Sequence, residues 1–136
     1  MAFLKFLDKK EIEMNQSLTY FAVYFGDNFN LQDFCDLLNL QKENVAYYKS
    51  DMRLEIGRNS QFKINLNEMV RKTLSLLLGK EDALYMLRKK YNLKYYLARV
   101  AWVNANEVNP ILSLEPDIVE FLYLTGTEDD LDYYVG

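Results

Sequence analysis

The stretch Leu93–Val103, Leu-Lys-Tyr-Tyr-Leu-Ala-Arg-Val-Ala-Trp-Val, decides how the rest of the chain is read. As a strand it places Leu93, Tyr95, Leu97, Arg99, Ala101 and Val103 on one face, and Lys94, Tyr96, Ala98, Val100 and Trp102 on the other. Both faces are largely apolar. That is the pattern of an interior strand in a sheet covered on both sides, or of a strand in an interface. Arg99 is the one charge inside the run, and a charge there needs a partner.

Working outward, Leu18–Phe25 is a second strand of the same two-faced kind, ended by the turn residues Gly26-Asp27-Asn28. Asn30 caps a helix over residues 31–39 whose apolar stripe is Leu31, Phe34, Cys35 and Leu38. Residues 44–49 and 52–58 read as short strands with a turn near Ser50-Asp51, and residues 61–65 as a further short strand. Asn65 and Glu68 resemble a capping box that opens a helix over residues 66–78. After Gly79, residues 81–91 form a second helix, acidic at its start and basic at its end, as the helix dipole prefers. Beyond the organising strand, residues 111–114 fit a short strand. Pro116 then opens a helix that Gly126 closes, and residues 129–135 make the last strand. The expected architecture is α+β: a single-domain sandwich of a mixed or antiparallel sheet with three or four helices packed on it, spanning residues 17–136 behind an N-terminal arm or short helix at 1–16.

Composition narrows function mainly by exclusion. The net charge is −4, against the basic stripe a nucleic-acid binder uses. No apolar run is long enough to span a membrane. Cys35 is the single cysteine, so no internal disulfide forms and a reducing, cytoplasmic location is expected. There is no histidine, which removes the commonest general base and metal ligand. No Gly-rich phosphate loop or nucleophile–base pair is present, and no cofactor or metal is expected. The acidic run Glu128-Asp129-Asp130 with Asp132 has the oxygen ligands of a hard-cation site but not its spacing, and reads as a solvated turn.

Four features together resemble the DUF4279 family of small bacterial proteins of unknown function. They are the first strand leading through Gly26-Asp27-Asn28-Phe29 into a helix ending Leu37-Leu38-Asn39-Leu40; Leu76-Leu77-Leu78 with Lys80-Glu81-Asp82-Ala83-Leu84 and then Lys90-Tyr91-Asn92-Leu93; Leu112-Ser113-Leu114-Glu115-Pro116-Asp117-Ile118 with a helix ending Leu124-Thr125-Gly126; and the closing Leu131-Asp132-Tyr133-Tyr134-Val135. They cover most of residues 18–135. Residues 42–62 lack the Gly-bearing, Trp-containing stretch of that family, and the first 16 residues are additional. The resemblance implies a fold and supplies no catalytic residues.

The candidate neighbours of the organising strand are the strands at 18–25 and 129–135, and the polar constellation to look for is Arg99 with Asp130 and Asp132, which meet on one sheet face if the last strand lies beside the organising one. The weak ligand- or partner-binding set is Arg99, Asp130, Asp132, Tyr20, Tyr96, Trp102 and Tyr134. Three functions compete. The leading one is a non-enzymatic protein-binding module, immunity- or inhibitor-like, whose acidity suits a basic partner. The next is a small-molecule domain with a pocket around Arg99 lined by Tyr20, Tyr24, Tyr95, Tyr96, Tyr133 and Tyr134. The last is an enzyme that uses carboxylates alone. A homodimer is compatible with each.

Overall fold

The computed structural model describes residues 15–62, 65–106 and 112–136. Five strands form one mixed sheet in the order β2-β3-β1-β4-β5, where β1 is Gln16–Tyr24, β2 Val45–Tyr48, β3 Arg53–Gln61, β4 Lys94–Val103 and β5 Thr127–Val135. The organising strand, β4, has the two neighbours expected of it: β1 runs antiparallel on one side and β5 parallel on the other. Of the arm expected at residues 1–16, residues 1–14 lie outside the described residues, Asn15 is buried, and Gln16 already begins β1.

Four described helices pack on this sheet: α1 (Leu31–Leu38), α2 (Leu66–Leu74), α3 (Glu81–Tyr91) and α4 (Pro116–Thr125). Their ends follow local chemistry. The Asn30 side chain accepts from Asp33 N at 2.9 Å, and the Asn65 side chain accepts from Glu68 N at 3.2 Å. Asn39, Asn92 and Gly126 close α1, α3 and α4 in the left-handed region. α2 stops at Leu74, short of the expected residue 78, and residues 75–79 continue as turns that still bury Leu77. Leu112–Leu114 forms no strand, and of the separate strand expected at 61–65 only Gln61 is in a strand, as the last residue of β3, while Phe62 lies in a bend, Asn65 caps α2, and residues 63 and 64 lie outside the described residues.

The helices share one side of the sheet. Phe21 and Val23 of β1, Leu54 and Ile56 of β3, and Tyr95 and Leu97 of β4 meet Phe34, Leu74, Leu84 and Phe121 from the four helices in a single core. Each fully buried side chain of this size contributes on the order of 1.5–3 kcal/mol. The Tyr95 hydroxyl donates to Leu84 O at 2.8 Å, and burial pushes its pKa well up. All four described helices lie on the face of Phe21 and Leu97, and on the opposite face Leu18, Ala98, Val100 and Trp102 are buried as well, as the two-faced apolar pattern of β4 leads one to expect.

A bulge in β3 sets the register between the faces. Thr19 pairs with Asn59 but Phe21 with Ile56, so β3 carries an extra residue there. Gly57 takes it up at φ 70°. Without the bulge, Leu54 and Ile56 would share a face with Arg58 and Ser60. The Thr73 hydroxyl of α2 donates to Gly57 O at 2.8 Å and meets the Thr19 hydroxyl at 2.5 Å, pinning α2 over the bulge.

α1 is held to α3 by Asp33, which accepts from Tyr91 Oη at 2.5 Å and from Lys90 Nζ at 2.9 Å. The Tyr91 hydroxyl first, and Lys90 second, hold the Asp33 carboxyl below its ordinary range. A depressed carboxylate pKa contributes stability above the unfolded value, about 3.9, and loses it as pH falls through the folded one. Tyr91→Phe should therefore move the Asp33 titration midpoint upward in a carboxyl-carbon NMR titration. An unchanged midpoint would remove the Tyr91 hydroxyl as the cause.

Candidate functional site

Arg99 does find a carboxylate, but not either of those expected. Its Nε and Nη2 donate to Asp129 Oδ1 and Oδ2 at 2.8 and 2.6 Å, and its Nη1 donates to Leu112 O at 2.6 Å. The reason is strand parity. In the β4–β5 register Leu97 pairs with Asp129 and Arg99 with Leu131, so Asp129 shares the helix-covered face with Arg99. Asp130 and Asp132, opposite Ala98 and Val100, project from the other face. Arg99 is 3% exposed and is not among the residues that line the concavities on the opposite face. A bidentate, carbonyl-supported guanidinium of this kind is a structural tie between β4, β5 and the segment leading into α4.

The other expected residues meet on the opposite face. At one end, Leu18, Val100 and buried Trp102 form a small apolar cluster, with Tyr20 and Tyr134 packed against it. Trp102 and Tyr134 stack at 6.2 Å between centroids. At the other end a concavity of about 390 Å³ opens over Ala22 and Ala98. Its walls are Tyr20, Tyr24 and Tyr96, and its rim carries Lys94 and Asp130. The two alanines are what make the slot, since the register seats them diagonally between the larger Tyr20 and Tyr96. Tyr24 and Tyr96 meet edge to face at 5.5 Å.

Charge is divided across this face. On the β3 side, Glu55 is buried and pairs with Arg58 at 2.7 Å and Arg53 at 3.3 Å, which leaves two cations around one anion. Arg58 also lies over the Tyr20 ring at 5.1 Å. Burial, aided by Glu55, raises the Tyr20 pKa. On the β5 side, Glu128, Asp130 and Asp132 are exposed, and among the described residues none of them makes an ion pair or a side-chain hydrogen bond. The tyrosine slot thus lies between a basic and an acidic flank. Among the described residues, no group of three or more carboxylates or thiols is placed to hold a metal ion. No described helix is long and apolar enough to cross a membrane. Cys35 lies in the core, where burial raises its thiol pKa.

Of the residues sequence reasoning names, Tyr20, Tyr96 and Asp130 line the slot, Trp102 and Tyr134 flank it, Asp132 stands on the acidic margin, and Arg99 is on the far side of the sheet. Tyr24 is named only in the tyrosine lining of the pocket reading, and Lys94, Arg58 and Glu55 are named in neither. A signal for Tyr24 and Lys94 exists in the sequence, since both share the parity of Tyr20 and Tyr96. None exists for Arg58, because its face depends on the bulge. Comparison with protein-family models, curated proteins and solved structures finds no match for this chain.

Proposed function

We propose that this chain is a non-enzymatic protein-binding module, immunity- or inhibitor-like, that receives a basic partner at the tyrosine slot on the sheet face opposite the described helices and at its β5 margin. Under the same proposal the resemblance to the DUF4279 family is one of fold. The observation that carries the reading is the grouping of exposed, unpaired Glu128, Asp130 and Asp132 beside half-open Tyr20, Tyr24 and Tyr96. Tyrosines supply rigid contact area, and unpaired carboxylates steer a cationic surface. The absence of histidine and of a nucleophile–base pair in the sequence weighs against catalysis. Isolation of the tagged chain from its own cells at low salt should retain one basic protein in stoichiometric amount and release it as salt rises. The triple variant Glu128→Lys/Asp130→Lys/Asp132→Lys should retain none of it. Equal retention by the variant, or no stoichiometric partner on the wild-type chain, would overturn the reading.

A second reading rests on the slot itself, which would hold a small zwitterionic or aromatic ligand between Lys94 and Asp130. A thermal-shift screen separates the two. A metabolite that raises the melting temperature of the wild type but not of Tyr96→Ala favours the small molecule.

A further inference from the structure

We infer that the partner engages this chain by strand addition: an extended segment with basic residues at alternate positions pairs with the outer edge of β5 as a sixth strand of the sheet. The inference rests on the protein-binding reading and specifies how the partner is held.

β5 is the last strand of the sheet, and its nine residues from Thr127 to Val135 pair with β4 on one side only. Among the described residues, the N–H and C=O groups of every second residue on its outer edge are therefore left to template another strand. The opposite edge, β2, is only four residues long. Short edge strands and edge charge both discourage unwanted pairing. β5 carries charge only as far as Asp132, whereas Tyr133 and Val135 beyond it are exposed and uncharged. An edge built for protection alone would carry charge along its whole length.

The side chains specify the occupant. Strand parity puts Glu128, Asp130 and Asp132 on the face opposite the described helices, and Leu131 and Tyr133 on the helix-bearing one. Asp129 is neutralised by Arg99. A neighbouring strand would meet the three free carboxylates best with Lys or Arg at every second position, and Leu131 and Tyr133 with apolar residues between. The first of these side chains would also pass the rim of the tyrosine slot, where Asp130 stands. A second copy of this chain is a poor occupant in the antiparallel registers that pair most of the strand. Antiparallel pairing centred on Leu131 sets Asp130 against Asp132 of the copy, and pairing centred on Asp130 or Asp132 sets an aspartate against itself.

The test uses the full chain and two capped peptides of equal charge, one alternating Lys and Val, the other alternating Lys and Pro. Proline removes the N–H donors and resists the sheet while keeping the cations. The Lys-Val peptide should bind saturably, protect alternate β5 amides from hydrogen exchange, and bind about tenfold or more tightly than the Lys-Pro peptide, a difference of about 1.4 kcal/mol. Equal affinity of the two peptides, or binding without β5 protection, would overturn strand addition. So would absence of saturable Lys-Val binding. If the cellular partner is nonetheless retained by the wild-type chain and lost from the triple-lysine variant, the protein-binding reading survives and only its strand-addition form falls.

Discussion

Asp129→Ala should cost this protein about 3–5 kcal/mol of folding stability, and Arg99→Ala about 3 kcal/mol, as read from urea midpoints at constant slope. The asymmetry follows from burial. The Arg99 side chain is 4% exposed and Asp129 30%, so removing the aspartate strands a buried guanidinium with only the Leu112 carbonyl left to it. Removing the arginine strands a carboxylate that water partly reaches. Both losses are large against a total of about 5–15 kcal/mol for a domain. The pair as a whole need not stabilise much, because desolvation offsets its attraction. Arg99→Met/Asp129→Leu should therefore recover most of what either single change loses. Asp130→Ala and Asp132→Ala should each stay within about 0.5 kcal/mol of wild type, since both are exposed and unpaired. If Asp130→Ala matched Asp129→Ala, the placement of Arg99 would be wrong.

Gly57→Ala should be comparably damaging, at about 3 kcal/mol or more, for an unrelated reason. Gly57 sits at φ 70°, where an alanine is strained by about 1–2 kcal/mol. A β-carbon there would also overlap the Thr73 carbonyl group, which is backbone and cannot swing aside. Relief would require α2 to lift from the bulge, with loss of the Thr73 hydrogen bonds to Gly57 and Thr19. Gly79→Ala is the control. Gly79 has φ 87°, and no atom lies within 4 Å of the point where a β-carbon would stand, so it carries the conformational cost alone. The gap between the two midpoints measures the clash. A Gly57→Ala loss no larger than that of Gly79→Ala would show that α2 does not press on the bulge.

Much of the architecture is legible in the sequence because it rests on short-range rules. The caps at Asn30, Asn65, Asn92 and Gly126 and the N-terminal Pro116 bound the helices where local hydrogen bonding ends them. The two-faced apolar pattern of 93–103 identifies the interior strand, and its predicted neighbours at 18–25 and 129–135 are β1 and β5. The errors arise where one residue of offset matters. Sequence reasoning pairs Arg99 with 130 and 132, whereas the parallel register brings 129 to its side of the sheet. It also groups the tyrosines as one lining, whereas Tyr95 is in the core and Tyr20, Tyr24 and Tyr96 are on the other face.

By itself, then, the sequence determined the periodicities, the caps, the chemistries without reagents, and the strand on which the fold is centred. These depend on residues a few positions apart. Tertiary structure decided which face the helices cover, where β3 slips by a residue, and which carboxylate meets Arg99. Those outcomes depend on register between distant strands, and with a side-chain period of two a single step of register exchanges core for surface. For Leu93–Val103 that step separates a structural arginine on one face from a tyrosine slot on the other.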